Sequence, residues 1–400
     1  MKKIIFSVIS IAAMFGLALF VAQTNLSAAQ ASDASGRKIV VFQTGLNDAA
    51  KDEIVRYAGG AKLKNLDLIG AKAVWLPSRA AVEKLKAHPA VVRVDEDVIV
   101  EALDHKGGGG EITLLAQVLP WGIDRVDAEL VWLGGNTADP VKVGIIDTGI
   151  SGKHPDLLAN VKGGVNTINS RKRWNDDNGH GSHVAGIVAA INNTSGVVGV
   201  GPAADLYAIK VLGANGSGYL SDVIEGIQWA VVNGMQVINM SLGTGSNIQV
   251  FHDAVIAAKN AGVVVIAAAG NSGGSVIYPA AYSEAIAVSA TDQNNVIASW
   301  SSRGPEIDLA APGVSIYSTY KGTGYATLSG TSMAAPHVAG SAALVLNTPV
   351  GEYYDVNLNR KWDPDEVQKK LQDRAVDLGN AGFDNLYGWG LVNAYNAVQP

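Results

Sequence analysis

The sequence predicts an α/β fold for the chain from about residue 116 onward: a doubly wound, mostly parallel sheet with helices on both faces. Apolar, β-rich runs such as VKVGIID, QVINMSLG and GVVVIAAAG alternate there with helix-like runs such as LSDVIEGIQWAVVNG and VFHDAVIAAKNAG. In such sheets functional groups gather at the carboxyl ends of the strands. Asp147 stands at such an end, directly after a buried strand pattern.

A small α+β domain is predicted ahead of this sheet, over residues 38–101. It contains strand-like KIVVFQ and AKAVWL, helix-like NDAAKDEIVRYA and SRAAVEKLKAH, and a last run, AVVRVDEDVIVEAL, that alternates with period two. Four consecutive glycines follow within the segment 104–112. Such a run indicates a flexible, protease-accessible linker, so we predict a domain boundary there.

The composition excludes several classes of protein. With 400 residues, of which 48% are apolar and 16% charged, the chain is expected to be globular and well buried. Its net charge of −6, with no Lys/Arg cluster beyond RKR at 171–173, argues against a nucleic-acid partner. The absence of cysteine removes disulfides and thiolate metal sites, which leaves oxygen-ligated cations, above all Ca²⁺, as a means of stabilisation.

The N-terminus has the pattern of a secretory signal peptide over residues 1–31. Lys2 and Lys3 precede a weakly polar run from Ile4 to Val21, and the Ala-Gln-Ala sequence at 29–31 supplies a cleavage signal. The alternative is an uncleaved membrane anchor, because the run is just long enough to span a bilayer. We expect secretion, with no membrane association once the signal is cleaved.

Asp147 begins an Asp-Thr-Gly turn, which admits two functional interpretations and a structural one. The same tripeptide occurs in aspartic proteases, but those enzymes need two carboxylates that share a proton, and the chain has no second Asp-Thr-Gly or Asp-Ser-Gly. The structural alternative is an Asp that caps a turn. The functional interpretation that remains is a carboxylate that orients a catalytic base.

Ser332 lies in SGTSMAAPHVAG, residues 329–340, where a glycine-rich loop enters an apolar helix. A helix N-terminus has unpaired N–H groups and the positive end of the helix dipole, which suits chemistry that develops negative charge. The structural alternative is an N-cap serine. Pro336 favours the functional interpretation, because it removes the N–H that would bond to the Ser332 carbonyl.

His180 is the candidate base, because NDDNGHGSHVAGIVAAI places it between two glycines at the start of a helix. His183 lies one turn further on, but zinc hydrolases of the H-E-x-x-H type need a different spacing and a glutamate, so we interpret His183 as structural. We interpret His154, His252 and His337 as structural or surface residues. Asp147, His180 and Ser332 together supply an orienter, a base and a nucleophile for acyl transfer.

The order Asp, His, Ser and the motifs around it resemble the subtilisin family of secreted serine proteases, the subtilases. The motifs IIDTGI, GHGSHVAG, INMSLG, VVVIAAAGN, LAAPGVSI and SGTSMAAPHVAG occur in the family's order over residues 116–345. The resemblance implies a calcium-dependent serine endopeptidase of broad specificity. It also implies that Asn271 is the side-chain donor of the oxyanion hole, beside the Ser332 amide.

The resemblance implies a substrate-binding cleft as well. Strand-like segments Leu212–Gly218 and Ser241–Gly243 would pair with an extended substrate. Such pairing recognises the backbone of the substrate more than its side chains. Ile277 stands where many relatives have a small residue, so very large side chains should fit less well before the scissile bond. The implied substrate-binding residues are Leu212, Gly216, Ser217, Gly218, Ser241, Leu242, Gly243, Ala268, Gly270 and Ile277.

A calcium site is implied at the loop INNTSGVVGVGP, residues 191–202, with a polar turn as the alternative. Its ligands would be the side chains of Gln117, Asp156 and Asn193 and the carbonyls of Ile191, Ser195 and Val197. A second stretch, DVNLNRKWDPDE at 355–366, has acidic and amide residues at EF-hand positions, but Arg360 replaces the turn glycine. The rival interpretation is a capping box of Asp363 and Glu366 that begins a helix.

Residues 32–115 resemble the family's propeptide, which assists folding and inhibits the catalytic domain, here residues 116–400, until it is cut. The alignment of AQVLPWG puts the mature start near Ala116, while the glycine run allows a cut anywhere between about 104 and 116. The expected product is a secreted monomer that acts on proteins and peptides. The rival class is a catalytically silent member that binds peptides.

Overall fold

The computed structural model describes residues 36–104 and 116–400, which divide into two compact units. One unit comprises residues 36–65 and 70–98, and the other comprises residues 66–69, 99–104 and 116–400. The predicted signal peptide at 1–31 and nearly all of the glycine-rich linker lie outside the described residues. Within the described ranges, no helix is both long and apolar enough to cross a membrane.

The first unit combines two helices with a four-stranded sheet. Its elements are β1 (Arg37–Phe42), α1 (Asp48–Tyr57), β2 (Ala61–Leu66), β3 (Ala71–Trp75), α2 (Arg79–Lys86) and β4 (Val91–Glu96), while the 3₁₀ turn Asp67–Ile69 between β2 and β3 belongs to the second unit. The strands form one sheet in the order β2-β3-β1-β4. Each helix begins at a side-chain cap, since Asn47 Oδ1 accepts from the Ala50 N–H and Ser78 Oγ accepts from the Ala81 N–H.

Two local differences from the sequence prediction have physical reasons. Strand β2 was not predicted, because its sequence AKLKNL is largely exposed and lacks the apolar alternation of a half-buried strand. The long period-two run is interrupted after Glu96. Asp97 is buried there and accepts a hydrogen bond from Arg37 Nε at 2.9 Å, so the chain leaves the sheet at this point.

The second unit holds all the remaining helices and strands of the described residues. In chain order they are β5 (Ile99–Ala102), α3 (Trp121–Arg125), α4 (Ala128–Trp132), β6 (Lys142–Asp147), β7 (Val161–Asn166), α5 (His180–Ala189), β8 (Asp205–Lys210), β9 (Ser217–Tyr219), α6 (Leu220–Val232), β10 (Val237–Met240), β11 (Leu242–Gly243), α7 (Gln249–Asn260), β12 (Val264–Ala268), β13 (Ile286–Thr291), β14 (Ile307–Pro312), β15 (Ile316–Thr319), β16 (Tyr325–Leu328), α8 (Thr331–Leu346), α9 (Pro364–Asp373) and α10 (Ala394–Val398).

Seven parallel strands form the central sheet, in the order β14-β13-β12-β10-β6-β8-β7. The chain begins this sheet at β6, builds β7 and β8 on one side and then returns to build β10 on the other. The strand order therefore reverses at the carboxyl end of β6, which is where ligands bind in open α/β sheets. Asp147 is the last residue of that strand.

Helices cover the sheet, with α5 and α8 packed on each other and on the central strands, and α6 packed on α7. Almost every residue of α8 is buried, as expected for a helix whose sequence is apolar or small on all sides. The doubly wound α/β fold class is confirmed. Two smaller sheets accompany the large one, an antiparallel pair β15-β16 and a three-stranded antiparallel sheet β11-β5-β9.

The predicted strand over Leu212–Gly218 is wrong for most of its length. The segment turns: the Gly216 N–H donates to the Gly213 carbonyl, and the Gly213 N–H donates to the Ser217 carbonyl, both at 2.9 Å. Asn215 Oδ1 also accepts from the Ser217 N–H at 3.1 Å, a local side-chain bond typical of turns. The strand β9 therefore begins only at Ser217.

Candidate active site

Asp147 and His180 meet at the switch point of the sheet. Asp147 ends β6 and His180 begins α5, and both side chains are buried. His180 Nδ1 lies 2.8 Å from Asp147 Oδ1 and 2.9 Å from Oδ2. Because a carboxylate only accepts, Nδ1 carries the proton and Nε2 is left as the basic nitrogen. His180 Nε2 is buried and has no hydrogen-bond partner among the described residues.

Asp176 fixes the start of the helix that carries His180. Its Oδ1 accepts from the Gly179 N–H at 2.8 Å and from Thr148 Oγ1 at 2.9 Å, and its Oδ2 accepts from Ser182 Oγ at 2.6 Å. The carboxylate thus joins the turn after β6 to the first turn of α5. Sequence reasoning missed Asp176, although an acidic residue just before a helix N-terminus is a recognisable capping signal.

The charges around His180 keep its imidazole basic. Burial lowers the pKa of His180, but the charge and hydrogen bond of Asp147 outweigh it, and the Asp104 and Asp176 carboxylates add to the effect, so the pKa lies above its ordinary value. His183 contrasts with it. Its Nε2 lies 3.0 Å from two backbone carbonyls, and burial lowers its pKa to about 3, which is consistent with a structural role.

Ser332 is the second residue of α8 and is fully buried. Its Oγ donates to the Ser241 carbonyl at 3.0 Å, and Ser241 Oγ donates to the Ser332 carbonyl at 2.8 Å. The second bond is possible because Pro336 has no N–H to occupy the Ser332 carbonyl. The structure therefore brings Asp147 and His180 into contact, while the Ser332 hydroxyl bonds to Ser241 and not to His180 Nε2.

Asn271 donates from Nδ2 to the Leu103 carbonyl at 2.7 Å. Its Oδ1 accepts from both the N–H and the hydroxyl of Thr331, at 3.0 and 2.9 Å, which fixes the direction of the amide. The Leu103 carbonyl also lies against Gly330, where an added Cβ would come within 2.6 Å of the oxygen. A backbone carbonyl therefore lies at the start of α8, within reach of a fixed amide donor.

Strand β5 lies between two edges as an extended substrate would. It pairs antiparallel with β9 on one side and with β11 on the other. The Ala102 N–H donates to the Gly216 carbonyl at 2.9 Å, and the Leu103 N–H donates to the Ser241 carbonyl at 3.2 Å. The segment up to Leu103 thus reaches the site in an extended, fully paired conformation.

Comparison with known proteins identifies the family, because residues 138–390 match the profile described as the Subtilase family. The chain belongs to the subtilase family. It is 47% identical to the alkaline protease of Shouchella clausii over 319 residues. This aligned region covers 80% of this chain and 77% of that protein. It is 50% identical over 285 residues to subtilisin Savinase of Lederbergia lenta, covering 71% of this chain and 100% of that protein. It is 41% identical over 402 residues to subtilisin E of Bacillus subtilis (strain 168), covering 97% of this chain and 98% of that protein.

The family and the enzyme class predicted from the motifs are thereby confirmed: this subtilase is a serine endopeptidase. Most of the residues that the resemblance assigned to substrate binding contact the strand β5 or the residues that hold it. Those that pair with or accept from β5 and Leu103 are Gly216, Ser217, Gly218, Ser241, Leu242 and Gly243. The Gly270 N–H donates to Thr331 Oγ1 at 3.1 Å, and Leu212 and Ala268 are fully buried.

Ile277 of this subtilase packs between two of the glycines assigned to the cleft. A Cβ built on Gly243 would lie 2.7 Å from Ile277 Cδ1, and one built on Gly270 would lie 3.2 Å from Ile277 Cγ1. The side chain therefore occupies space that a smaller residue would leave open beside these glycines.

The loop expected to hold calcium is organised around Asp156, which is fully buried. Asp156 Oδ2 accepts from the Val197 N–H at 2.8 Å, and Oδ1 accepts from Asn193 Nδ2 at 3.2 Å. Gln117 Nε2 lies 2.9 Å from the Ile191 carbonyl and 3.4 Å from the Val197 carbonyl. Ser195 donates its N–H to Asn193 Oδ1 at 2.7 Å. All the predicted ligand residues thus belong to one connected network.

The second stretch proposed for calcium, residues 355–366, forms the capping box of the rival interpretation. The Asp363 N–H donates to Glu366 Oε2 at 3.0 Å, Asp363 in turn accepts from the backbone of the first turn, and Pro364 is the first residue of α9. The described parts of the chain contain no group of three or more His, Cys, Asp or Glu side chains placed to hold a metal.

Proposed function

We propose that this subtilase is a secreted, calcium-stabilised serine endopeptidase of broad specificity that is made as a precursor and processes itself. The observation that carries the proposal is the Leu103 carbonyl, which accepts from Asn271 Nδ2 at 2.7 Å at the start of the helix that bears Ser332. A carbonyl at that position has a fixed donor beside it for the charge that develops during acyl transfer.

Acyl transfer follows from these positions. The Ser332 hydroxyl leaves the Ser241 carbonyl, donates to His180 Nε2 and attacks the substrate carbonyl. His180 takes the hydroxyl proton, and Asp147 stabilises the imidazolium and holds the tautomer through Nδ1. Asn271 Nδ2 and the Ser332 N–H receive the oxyanion. His180 then donates the proton to the leaving amine, and water hydrolyses the ester by the reverse sequence.

Broad specificity follows from how the substrate is held. The cleft offers backbone groups of β9, β11 and Ser241 to an extended chain, and those bonds do not depend on the substrate's side chains. Selectivity is then left to the pockets for alternate side chains, including the one beside Ile277. The proposed substrates are therefore proteins and peptides with extended, accessible segments.

Inhibition by the chain's own leader has the same physical basis. Residues 99–103 occupy both edges that an external substrate would need, so the two compete for one set of backbone groups. This supports the proposal that residues 32–115 act as an intramolecular inhibitor. Release of the leader then activates the enzyme.

The network around Asp156 fits a calcium ion. Carboxylate, carbonyl and amide oxygens are the ligands that calcium prefers, and turning over the Gln117 or Asn193 amide would present its oxygen in place of its nitrogen. Gly196 leaves the cradle open, since a Cβ there would lie 2.0 Å from Asp156 Oδ2. When bound, the ion would join the N-terminal segment to the loop at 191–202 and would stabilise the fold without entering the reaction.

Secretion is proposed from the sequence of residues 1–31 and is consistent with a chain that has no cysteine to protect from oxidation. We further propose that the mature enzyme acts as a monomer. The proposed monomer is the enzyme after both its signal peptide and its leader have been removed.

The proposed function is tested by purifying the precursor and its Ser332→Ala variant, incubating each with calcium and following its mass. The wild type should lose the leader and react with a serine-directed fluorophosphonate, while the variant should do neither. If the wild type stays intact and resists the probe, the catalytically silent peptide-binding member becomes the better account.

A further inference from the structure

We propose that the first self-cleavage breaks the Leu103–Asp104 peptide bond, well before the Ala116 boundary indicated by alignment with the family. The product is a processing intermediate that still carries the segment 104–115 at its N-terminus. This inference rests on the proposed function and adds the identity of the bond. A second, later cut is then needed to produce an enzyme that begins at Ala116.

The position of the Leu103 carbonyl carries the inference. Its oxygen is 2.7 Å from Asn271 Nδ2, and the Leu103 N–H is bonded to the Ser241 carbonyl at 3.2 Å. The same Ser241 carbonyl accepts from Ser332 Oγ at 3.0 Å. The residue before the scissile bond is therefore held on both sides. Its N–H bonds to the carbonyl that also accepts from the nucleophile, and its own carbonyl bonds to an amide that is fixed by Thr331, the residue before the nucleophile.

Two side chains in and just after β5 are bound by the catalytic unit. Val100 is completely buried and Glu101 is exposed. Leu103 packs against the core of the catalytic unit. Two apolar side chains three residues apart are thus bound, while the intervening acidic side chain faces solvent. A shift of one residue that moved Glu101 into the position of Val100 would also move Asp104 into that of Leu103, which would bury two carboxylates and so disfavours that register.

The residue after the bond lies against the start of the helix that carries Ser332. Asp104 Cα is 3.3 Å from a Cβ built on Gly330, and Asp104 is exposed. Its carboxylate acts on two groups there. It contributes to the raised pKa of His180 and, after burial and Asp176, to the raised pKa of Tyr320. The Asp104 carboxylate thus acts on the base that would protonate the Asp104 nitrogen.

Cleavage of the Leu103–Asp104 bond requires no reactant other than water. Ser332 Oγ forms an ester with the Leu103 carbonyl carbon while the bond from that carbon to the Asp104 nitrogen breaks. The hydroxyl proton passes to His180 Nε2 and from there to the Asp104 amine. Water hydrolyses the ester, which leaves a carboxylate on Leu103 and restores the Ser332 hydroxyl.

The test is a time course of self-processing of the full precursor in calcium, with both new termini identified by mass spectrometry. The earliest fragments should be a leader that ends at Leu103 and a chain that begins at Asp104, and a chain that begins at Ala116 should follow. The inference is overturned if the chain that begins at Ala116 forms first from an enzyme that is active. If nothing is cut and external peptides are not hydrolysed either, the proposed function fails and the inference falls with it.

Two matched proline variants locate the two cuts independently. Asp104→Pro converts the secondary amide at the first bond to a tertiary one while Leu103 keeps the extended conformation that precedes proline, so the fragment ending at Leu103 should decrease by more than about tenfold. Ala116→Pro should leave that fragment unchanged and stop processing at the chain that begins at Asp104. Release of the Leu103 fragment at the wild-type rate from Asp104→Pro would contradict the assignment.

Discussion

Asn271 and Thr331 are joined by two hydrogen bonds, in which Asn271 Oδ1 accepts from the Thr331 N–H at 3.0 Å and from its hydroxyl at 2.9 Å. The amide oxygen is thereby occupied, and the nitrogen must face the Leu103 carbonyl. Thr331 is a positioning residue, because it acts on the carbonyl only through Asn271. The sequence identified Asn271 as the donor, but it did not identify Thr331 as the residue that orients the Asn271 amide.

Thr331→Val keeps the shape and the backbone N–H but removes the hydroxyl that bonds to Asn271. The variant loses the bond that the hydroxyl donates to Asn271 Oδ1 and the one that it accepts from the Gly270 N–H. Loss of the first, about 1 kcal/mol, should lower kcat about fivefold with little change in KM, because that bond matters most when the oxyanion forms. Steady-state kinetics on a peptide substrate check this. Thr331→Ser restores the hydroxyl and should recover kcat, and a variant that raises KM alone would contradict the positioning role.

Asp147→Asn should lower kcat by about 10⁴-fold while the chain still folds, because the amide no longer holds the His180 tautomer with Nε2 free. The measurement is single-turnover hydrolysis of an activated ester, beside a thermal melt to verify folding. A loss no greater than about tenfold would mean that another group orients His180, and Asp176 would be the nearest candidate.

Self-processing should become faster as the pH rises. His180 must be neutral to take the Ser332 proton, and its raised pKa means that the neutral form is lost as the pH falls through that value. Asp104 contributes to the raised pKa in the precursor. In Asp104→Asn the inflection of the processing rate should therefore move to lower pH than in the wild type.

The matched control for this shift is peptide hydrolysis by the two mature enzymes. Their pH profiles should coincide, because an enzyme that begins at Ala116 has lost Asp104 with the segment 104–115. Equal inflections in the two processing profiles would show that the Asp104 carboxylate does not act on His180.

Chelation of calcium should lower the Tm of the mature wild type, since an ion present at 100 times its Kd stabilises the folded state by about 2.7 kcal/mol. Gly196→Ala should remove most of this effect, because the new Cβ would lie 2.0 Å from Asp156 Oδ2 and the residue has φ of +70°. Gly322→Ala is the control, with φ of +72° and open space around the new Cβ. A calcium-dependent Tm in Gly196→Ala that equals the wild type's would place the ion elsewhere.

Ile277→Ala should broaden the pocket before the scissile bond. We expect kcat/KM for Phe or Tyr at that position, relative to Leu, to increase on the order of tenfold, the range typical of changes in an apolar pocket. Cleavage mapping on a denatured protein measures the ratio. Val276→Ala, the neighbouring position, should leave the ratio unchanged, and a wild-type enzyme that already prefers Phe and Tyr would contradict the prediction.

The sequence by itself was sufficient for the fold class and for the residues with reactive groups. Alternating strand and helix patterns predict the parallel sheet, because side-chain periodicity depends on local geometry alone. Asp147, His180, Asn271 and Ser332 stand in motifs whose residues are close in sequence, so each could be found without knowing what it touches. The strand β2 and the turn at Leu212–Gly216 were misjudged, because exposure and local side-chain bonds decided them.

Tertiary structure alone decided how these residues are held and which peptide bond is presented to them. The contacts of Asn271 with Leu103 and Thr331, and of Ser332 with Ser241, join residues 60 to 168 positions apart. No local sequence pattern predicts contacts between residues so far apart in the chain. These contacts follow from the strand order, which brings the ends of β5, β10 and β12 to the start of α8. Leu103 is identified by this convergence, because the direction of one carbonyl depends on the pairing of a whole strand.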